Sequence, residues 1–195
     1  MSDLNRDIQT IPIPPDLPSY QYNIFASNNQ NYWISSSDGA NIGVSSINLV
    51  GSNANWFFIP ITALQGQYFI FLDDGNFSIN SSTNVVQSGT FINYNPQNYS
   101  LSLELYPKSP KAYPWLAENP GSGIPYNFGA PKGRSATICI ATQEKHLLLP
   151  TAYVNNAYAS NLSGGLSVDI QDTFLYTDVT TQWFLKGSGT FASGQ

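Results

Sequence analysis

Residues 21–25 read QYNIF, and residues 67–71 read QYFIF about 46 positions further along the chain. A second match follows, since residues 32–34 read YWI and residues 77–79 read FSI after a deletion of one position. Aromatic and β-branched residues of this kind favour strands. The recurrence of strand-like segments at a constant spacing predicts a chain built from copies of one β unit.

A third and weaker copy starts at residues 136–140, which read ATICI, and closes on residues 182–185, which read QWFL. That closing run matches NWFFIP at residues 55–60, which closes the first copy. The second copy is predicted to close on residues 99–105, where strand alternation replaces the tryptophan. The prediction is an extended, Pro-rich N-terminal arm at residues 1–19, followed by a single domain at residues 20–195. The domain contains three repeats, at about residues 20–65, 66–106 and 135–187. A long loop insertion at about residues 107–134 separates the second repeat from the third.

Turn signals separate the short apolar runs about every ten residues. Asp38-Gly39 and Asp74-Gly75 have the chemistry of hairpin turns. No window of about 12 residues shows a helical period, so the pattern favours an all-β fold.

The three copies of about 45 residues resemble the β-trefoil fold, and their tryptophan-bearing closing runs at residues 55–60 and 181–185 resemble those of ricin-B-type lectins and related β-trefoils. The resemblance implies that three copies close a six-stranded barrel capped by hairpins. The alternative architecture is a β-sandwich or jelly roll, which has a similar strand spacing and needs no threefold repeat.

Charged residues make up only 10% of the chain, and the formal net charge is −5. Residues 7–107 contain no lysine or arginine. Because neutralising phosphates requires cations, this composition argues against nucleic acids and anionic membrane surfaces as partners. Long apolar runs are missing too, so we expect no membrane insertion.

Cys139 is the only cysteine, which excludes an intramolecular disulfide and a cysteine-based zinc site. We expect no metal and no cofactor. The N-terminal residues lack the apolar run of a signal peptide, so we expect synthesis in the cytoplasm, with release by a non-classical route as an option.

Two polar and aromatic groups are candidate sugar sites, because sugars bind to aromatic faces and to neighbouring carboxylate or amide groups. The resemblance to ricin-B-type lectins implies that an Asp, an Asn or Gln and an aromatic residue within one repeat form each site. The candidates in copies one and two are Trp33, Asp38 and Asn41, and Asp73, Asp74 and Asn76. The alternative is that both Asp-Gly pairs serve only as turns.

The insertion is a second candidate surface, because aromatic side chains on a loop stiffened by proline make good anchors for a protein partner. Its candidate contact residues are Lys111, Tyr113, Trp115, Tyr126 and Phe128. By resemblance to trefoil protease inhibitors, such a loop would bind in the active site of a protease. The alternative is that the loop folds over the barrel and its aromatic residues form a satellite core.

Catalysis is not expected, since His146 and Cys139 both lie in apolar strand-like runs and no nucleophile or phosphate motif occurs. The leading hypothesis is a non-enzymatic lectin for neutral glycans. A protease inhibitor, or another protein-binding trefoil acting through residues 107–134, is the alternative, and a structural or toxin-accessory domain is the third option. The expected partners are glycans or glycoproteins, alternatively a protease, and a homodimer is compatible with the sequence.

Overall fold

The structure is a computed structural model. It describes residues 11–12, 20–26, 29–36, 42–46, 55–61, 66–108, 112–120, 122, 124–125, 136–142, 146–150, 166–171 and 181–190. These residues contain no α-helix and form thirteen strands, which confirms the all-β prediction. The strands are β1 (Tyr20–Ala26), β2 (Asn29–Ser36), β3 (Ile42–Ser46), β4 (Trp56–Pro60), β5 (Gln67–Leu72), β6 (Ser78–Asn80), β7 (Val85–Asn95), β8 (Ser100–Tyr106), β9 (Trp115–Glu118), β10 (Ala136–Ala141), β11 (Leu147–Pro150), β12 (Leu166–Gln171) and β13 (Gln182–Thr190).

Six of these strands form a closed ring. β1 pairs with β4, β4 with β5, β5 with β9, β9 with β10, β10 with β13 and β13 with β1, each time antiparallel. Closure gives every strand of this six-strand ring a partner on both sides, so the ring has no free edge.

Three hairpins, β2–β3, β7–β8 and β11–β12, follow one common register. In each hairpin an aliphatic pair lies directly across the two strands, namely Ile34 with Val44, Ile92 with Leu103 and Leu148 with Ile170. The residue before the first member of each pair lies opposite a ring strand: Trp33 faces Phe25, Phe91 faces Phe71 and Leu147 faces Ala141. The internal repeat therefore extends from the ring into the hairpins.

This register differs from the predicted alignment of residues 32–34 with residues 77–79. Because Phe91 occupies the place that Trp33 holds in the first copy, β7 is the counterpart of β2. Residues 78–80 form the additional short strand β6, which pairs with the start of β7. Short apolar-polar-apolar runs occur in many strands. Residues 77–79 therefore share the pattern of residues 32–34 without holding the same position in the sheet.

The closing strand of the second copy also differs from the prediction. Residues 100–106 form β8, which pairs with β7 outside the ring, and the ring strand is β9 within the predicted insertion. Alternation alone does not distinguish a ring strand from a hairpin strand, since both bury one face. The predicted loop at residues 107–134 therefore contains a structural element of the second copy.

Three tryptophans occupy matching places in the central core. Trp56 on β4, Trp115 on β9 and Trp183 on β13 are each almost completely buried. The indole N–H of Trp115 donates to the carbonyl oxygen of Ile92 at 3.1 Å, and that of Trp183 donates to the carbonyl oxygen of Leu148 at 3.4 Å. Because Ile92 and Leu148 hold the same hairpin position, both tryptophans tie a ring strand to a hairpin.

A second apolar cluster, the outer core, lies outside the ring. Residues of β4 and β5 alternate between the two cores, so their outward side chains contribute to it. Its buried members are Ile11, Phe57, Ile59, Phe69, Phe71, Val86, Phe91, Tyr106 and Ala112. Ile11 belongs to the predicted arm, whose remaining residues before Tyr20, apart from Pro12, lie outside the described part of the chain. Ile11 is fully buried, so this part of the arm is packed on the domain.

Candidate functional site

The structure describes only part of the predicted site residues. In copy one, the backbone of Trp33 pairs with Phe25 and Ser45, which places it in the middle of β2. Asp38 and Asn41 lie outside the described residues. The same holds for three residues of the predicted protein-binding loop, Lys111, Tyr126 and Phe128.

In copy two, Asp74 and Asn76 are brought together by two hydrogen bonds, both donated by Asn76. One carboxylate oxygen of Asp74 accepts the backbone N–H of Asn76 at 3.0 Å. The other accepts the side-chain amide of Asn76 at 3.0 Å and the hydroxyl of Thr90 at 2.6 Å. Both oxygens therefore brace an Asx turn that continues through Gly75, which has a φ of 85°. This geometry supports the turn interpretation of Asp74-Gly75.

The neighbours of this turn are used internally as well. The backbone N–H of Asp73 donates to the carbonyl oxygen of Asn55 at 2.9 Å. The ring of Phe77 packs 4.7 Å from Phe57 and 5.3 Å from Phe71, measured between centroids, against the outer core. The aromatic residue that directly follows Asn76 thus supports the fold, and the turn does not combine a carboxylate with an open aromatic face.

A different group of rings does reach the surface. We call this group the aromatic platform, and it consists of Tyr94, Tyr99, Tyr113 and His146. Tyr99 is 54% exposed, and its ring lies 5.1 Å from His146 at 71°. His146 also lies 6.4 Å from buried Tyr94, which contacts Tyr113 at 5.1 Å. Tyr99 is the outermost of these rings, and more than half of the residue is open to solvent.

Exposed Tyr99 and half-buried His146 are each held by a local backbone turn. Ser100 donates its N–H to the side chain of Asn98 at 3.1 Å, and Tyr99 between them has a φ of 58°. Such a backbone is uncommon for a residue other than glycine, and it persists only where the surroundings enforce it. On the opposite side, the N–H of His146 donates to the hydroxyl of Thr142 at 3.1 Å, and the N–H of Thr142 donates to the carbonyl oxygen of His146 at 2.9 Å.

Trp115 anchors the platform to the central core, in contrast to its predicted role as an exposed contact residue. Its ring lies 4.9 Å from Tyr113 and 6.1 Å from Tyr94, and only 1% of the residue is exposed. A partner protein therefore has no access to its indole. Burial follows from the position of Trp115 in ring strand β9, where inward-facing residues pack into the barrel.

The platform could not be predicted as a unit, because its members are distant along the chain. The sequence predicts Tyr113 as a protein contact and offers His146 only as a catalytic candidate, and it gives Tyr94 and Tyr99 no separate role. The one local signal is the run of residues 95–99, NPQNY, which combines turn-forming residues with a terminal aromatic. Its contact with His146 depends on the fold alone.

Cys139 and His146 are not arranged as a catalytic pair. Cys139 is completely buried on β10 and lies opposite Glu118 of β9, whereas the ring of His146 packs on the tyrosines of the platform. Burial raises the pKa of the Cys139 thiol to about 11, the charge of Glu118 acts in the same direction, and a hydrogen bond with Thr181 opposes both. The thiol is therefore protonated at neutral pH, and the protonated form is not nucleophilic.

The raised pKa of Cys139 makes the stability of the protein depend on alkaline pH. Folding favours the protonated thiol, so this contribution is complete below pH 9 and is lost as the pH rises from 9 to about 11. We expect wild type to lose about 2–3 kcal/mol more unfolding free energy over this interval than Cys139→Ala. Urea denaturation of both proteins at several pH values measures the difference. Parallel pH profiles would show that the thiol does not titrate in this way.

Two comparisons with known proteins were made. A scan against protein-family models finds no match, and a search of curated proteins finds none either. Within the described ranges, no helix is long and apolar enough to cross a membrane. The same residues hold no group of three or more His, Cys, Asp or Glu side chains that is suited to a metal ion.

Proposed function

We propose that the chain is a β-trefoil and that it binds neutral glycans through the aromatic platform. The fold proposal is supported by the six-strand ring, by the common register of the three hairpins and by the three buried tryptophans. A threefold arrangement explains why equivalent residues recur at equivalent pairing positions, because each copy needs its neighbours to bury its apolar face.

The observation that carries the glycan proposal is the exposed ring of Tyr99 in edge contact with His146. Pyranose rings place their C–H groups on aromatic faces, and their hydroxyls require donors and acceptors close by. The exposed residues 95–100 include three Asn or Gln side chains and supply such groups. Pre-ordered rings also lower the entropy cost of binding.

The predicted residues of copies one and two have different places in this proposal. Trp33, Asp38 and Asn41 remain a second candidate site for the same class of ligand. Asp74 and Asn76 support the turn beside the outer core, since the carboxylate of Asp74 already accepts three hydrogen bonds. The platform replaces their turn as the candidate site of copy two.

Removal of the Tyr99 ring tests the platform. We expect Tyr99→Ala to weaken glycan binding by roughly tenfold or more, because the side chain that stacks on the sugar is lost. Thermal stability stays close to that of wild type, since Tyr99 is largely exposed. A glycan array identifies the ligand, and isothermal titration then measures the affinities.

Leu105→Ala is the matched control, because Leu105 is also an exposed apolar residue, at 49%, and lies on β8 at the end far from Tyr99. It retains wild-type affinity. If wild type binds no glycan on the array, the lectin proposal fails. If Tyr99→Ala and wild type bind equally well, the glycan site lies elsewhere, with Trp33 as the next residue to replace.

Protein binding through residues 107–134 is the second candidate function, and it is supported by Ile124. This residue is 60% exposed on a turn that is braced by Asn119, whose backbone N–H and side-chain amide both donate to the carbonyl oxygen of Ile124. A rigid turn with an exposed apolar side chain is a suitable anchor for a partner protein. Because that carbonyl is already occupied, Ile124 is poorly placed to occupy the oxyanion hole of a protease. Absence of inhibition across serine and cysteine proteases would remove the inhibitor form of this alternative.

A further inference from the structure

Ile11 and Pro12 add a short extended segment to the outside of the domain. The backbone N–H of Val86 donates to the carbonyl oxygen of Ile11 at 2.8 Å, and Pro12 forms an antiparallel bridge with Val85. The side chain of Ile11 is fully buried in the outer core, while Pro12 is exposed. An apolar pocket for one side chain, combined with backbone pairing at a strand end, is how β-augmentation sites recognise peptides.

This segment is structurally separate from the six-strand ring. None of the pairings that close the ring involves residues 11 or 12, and Ile11 is not part of the central core. The walls of the outer core come from β4, β5, β7 and β8, which are held in place by their own pairings. The segment can therefore leave while the ring stays closed, and a slot of Ile11's shape then opens.

We propose that this slot is a binding site for an extended segment in which an aliphatic residue precedes a proline. In a domain-swapped dimer, residues 11–12 of a second copy of this chain occupy it. The contacts are the same whether the segment comes from its own chain or from the second copy. Exchange of an identical element is a low-cost route to a dimer for this reason.

The connection between the segment and β1 favours such an exchange. Residues 13–19 include Pro14, Pro15 and Pro18. Proline-rich connectors are extended and semi-rigid, at about 3.1 Å per residue, so seven residues reach about 20 Å. A reach of this length is sufficient for Ile11 to enter the slot of a neighbouring copy. A short tether gives the chain's own segment an effective concentration in the millimolar range at the slot. At millimolar protein, the segment of a second copy can therefore compete for the same slot.

The test uses the full-length chain in which Ile11→Asp empties the slot. A fluorescent peptide of residues 5–18 is titrated into this variant and followed by anisotropy. We expect saturable binding, at least tenfold tighter than to wild type, where the chain's own Ile11 blocks the slot. A peptide that carries Ile11→Asp does not bind. If the wild-type peptide fails to bind the folded variant, the slot is not a peptide site.

Sedimentation velocity from micromolar to millimolar protein tests the exchange itself. We expect the dimer fraction of wild type to rise with concentration and Ile11→Asp to remain monomeric. If wild type is a monomer at every concentration, the proposed exchange of segments is wrong. If Ile11→Asp still forms a dimer, the exchange is wrong as well, and the dimer uses another interface. Should Ile11→Asp fail to fold, Ile11→Ala takes its place in both measurements. Neither result depends on glycan binding, since the aromatic platform is formed by other residues.

Discussion

Trp115→Ala is expected to lower the free energy of unfolding by about 3–5 kcal/mol, the range for a fully buried large aromatic residue. The substitution leaves a cavity in the central core and removes the hydrogen bond to the carbonyl oxygen of Ile92. It also removes the support of Tyr94 and Tyr113. Total stabilities of about 5–15 kcal/mol are usual, so much of the protein's stability would be lost. Urea denaturation followed by tryptophan fluorescence and circular dichroism measures the change.

Tyr99→Ala is the control for this prediction, because it removes an exposed aromatic residue from the same cluster. Its unfolding free energy stays within about 0.5 kcal/mol of wild type. If Trp115→Ala unfolded at the wild-type denaturant concentration and instead lost a protein partner, Trp115 would lie on an exposed loop, which is the prediction from the sequence alone. β9 would then not be a strand of the ring.

Gly66→Ala is expected to lower the free energy of unfolding by at least about 3 kcal/mol, because two causes act together. Gly66 has a φ of 77°, which an alanine adopts only with strain. A Cβ atom at this position would also lie 2.5 Å from Cβ and 3.0 Å from Cα of Pro125. The backbone cannot yield freely, because the carbonyl oxygen of Gly66 accepts the N–H of Ala117 at 2.7 Å. Thermal and urea denaturation measure the loss.

Gly75→Ala separates the two causes. Gly75 has a φ of 85°, but no atom lies within 4 Å of the added Cβ. Only backbone strain of about 1–2 kcal/mol is expected there. Equal losses for the two variants would mean that Pro125 does not pack against Gly66 and that the turn before β5 is differently arranged.

The strand content and the turns could be predicted from the sequence because both are local properties. The recurring segments at residues 21–25 and 67–71 lie in β1 and β5, two strands of the ring. The alternative interpretation of Asp74-Gly75 as a turn agrees with the hydrogen bonds of Asp74. In these cases the residue types and their immediate neighbours contain the necessary information.

Pairing between distant segments could not be predicted in the same way. Trp115 lies opposite Tyr68, and this register determines that residues after the predicted second repeat complete the ring. Residues 77–79 have the composition of the expected strand, yet Phe91 takes that place opposite Phe71. Several strand-like segments satisfy the same alternation, and only the packing of side chains across the sheet selects among them.

The amino-acid sequence by itself determined that this protein is all-β, because period-two patterns and turn residues act over a few positions. The tertiary structure alone decided which aromatic residues are buried and which are exposed. Trp115 became a core residue through its place in the ring, whereas Tyr99 and His146 became surface neighbours although they are far apart in the chain. Side-chain burial depends on the strands that close around a residue, and those strands are distant from one another along the chain.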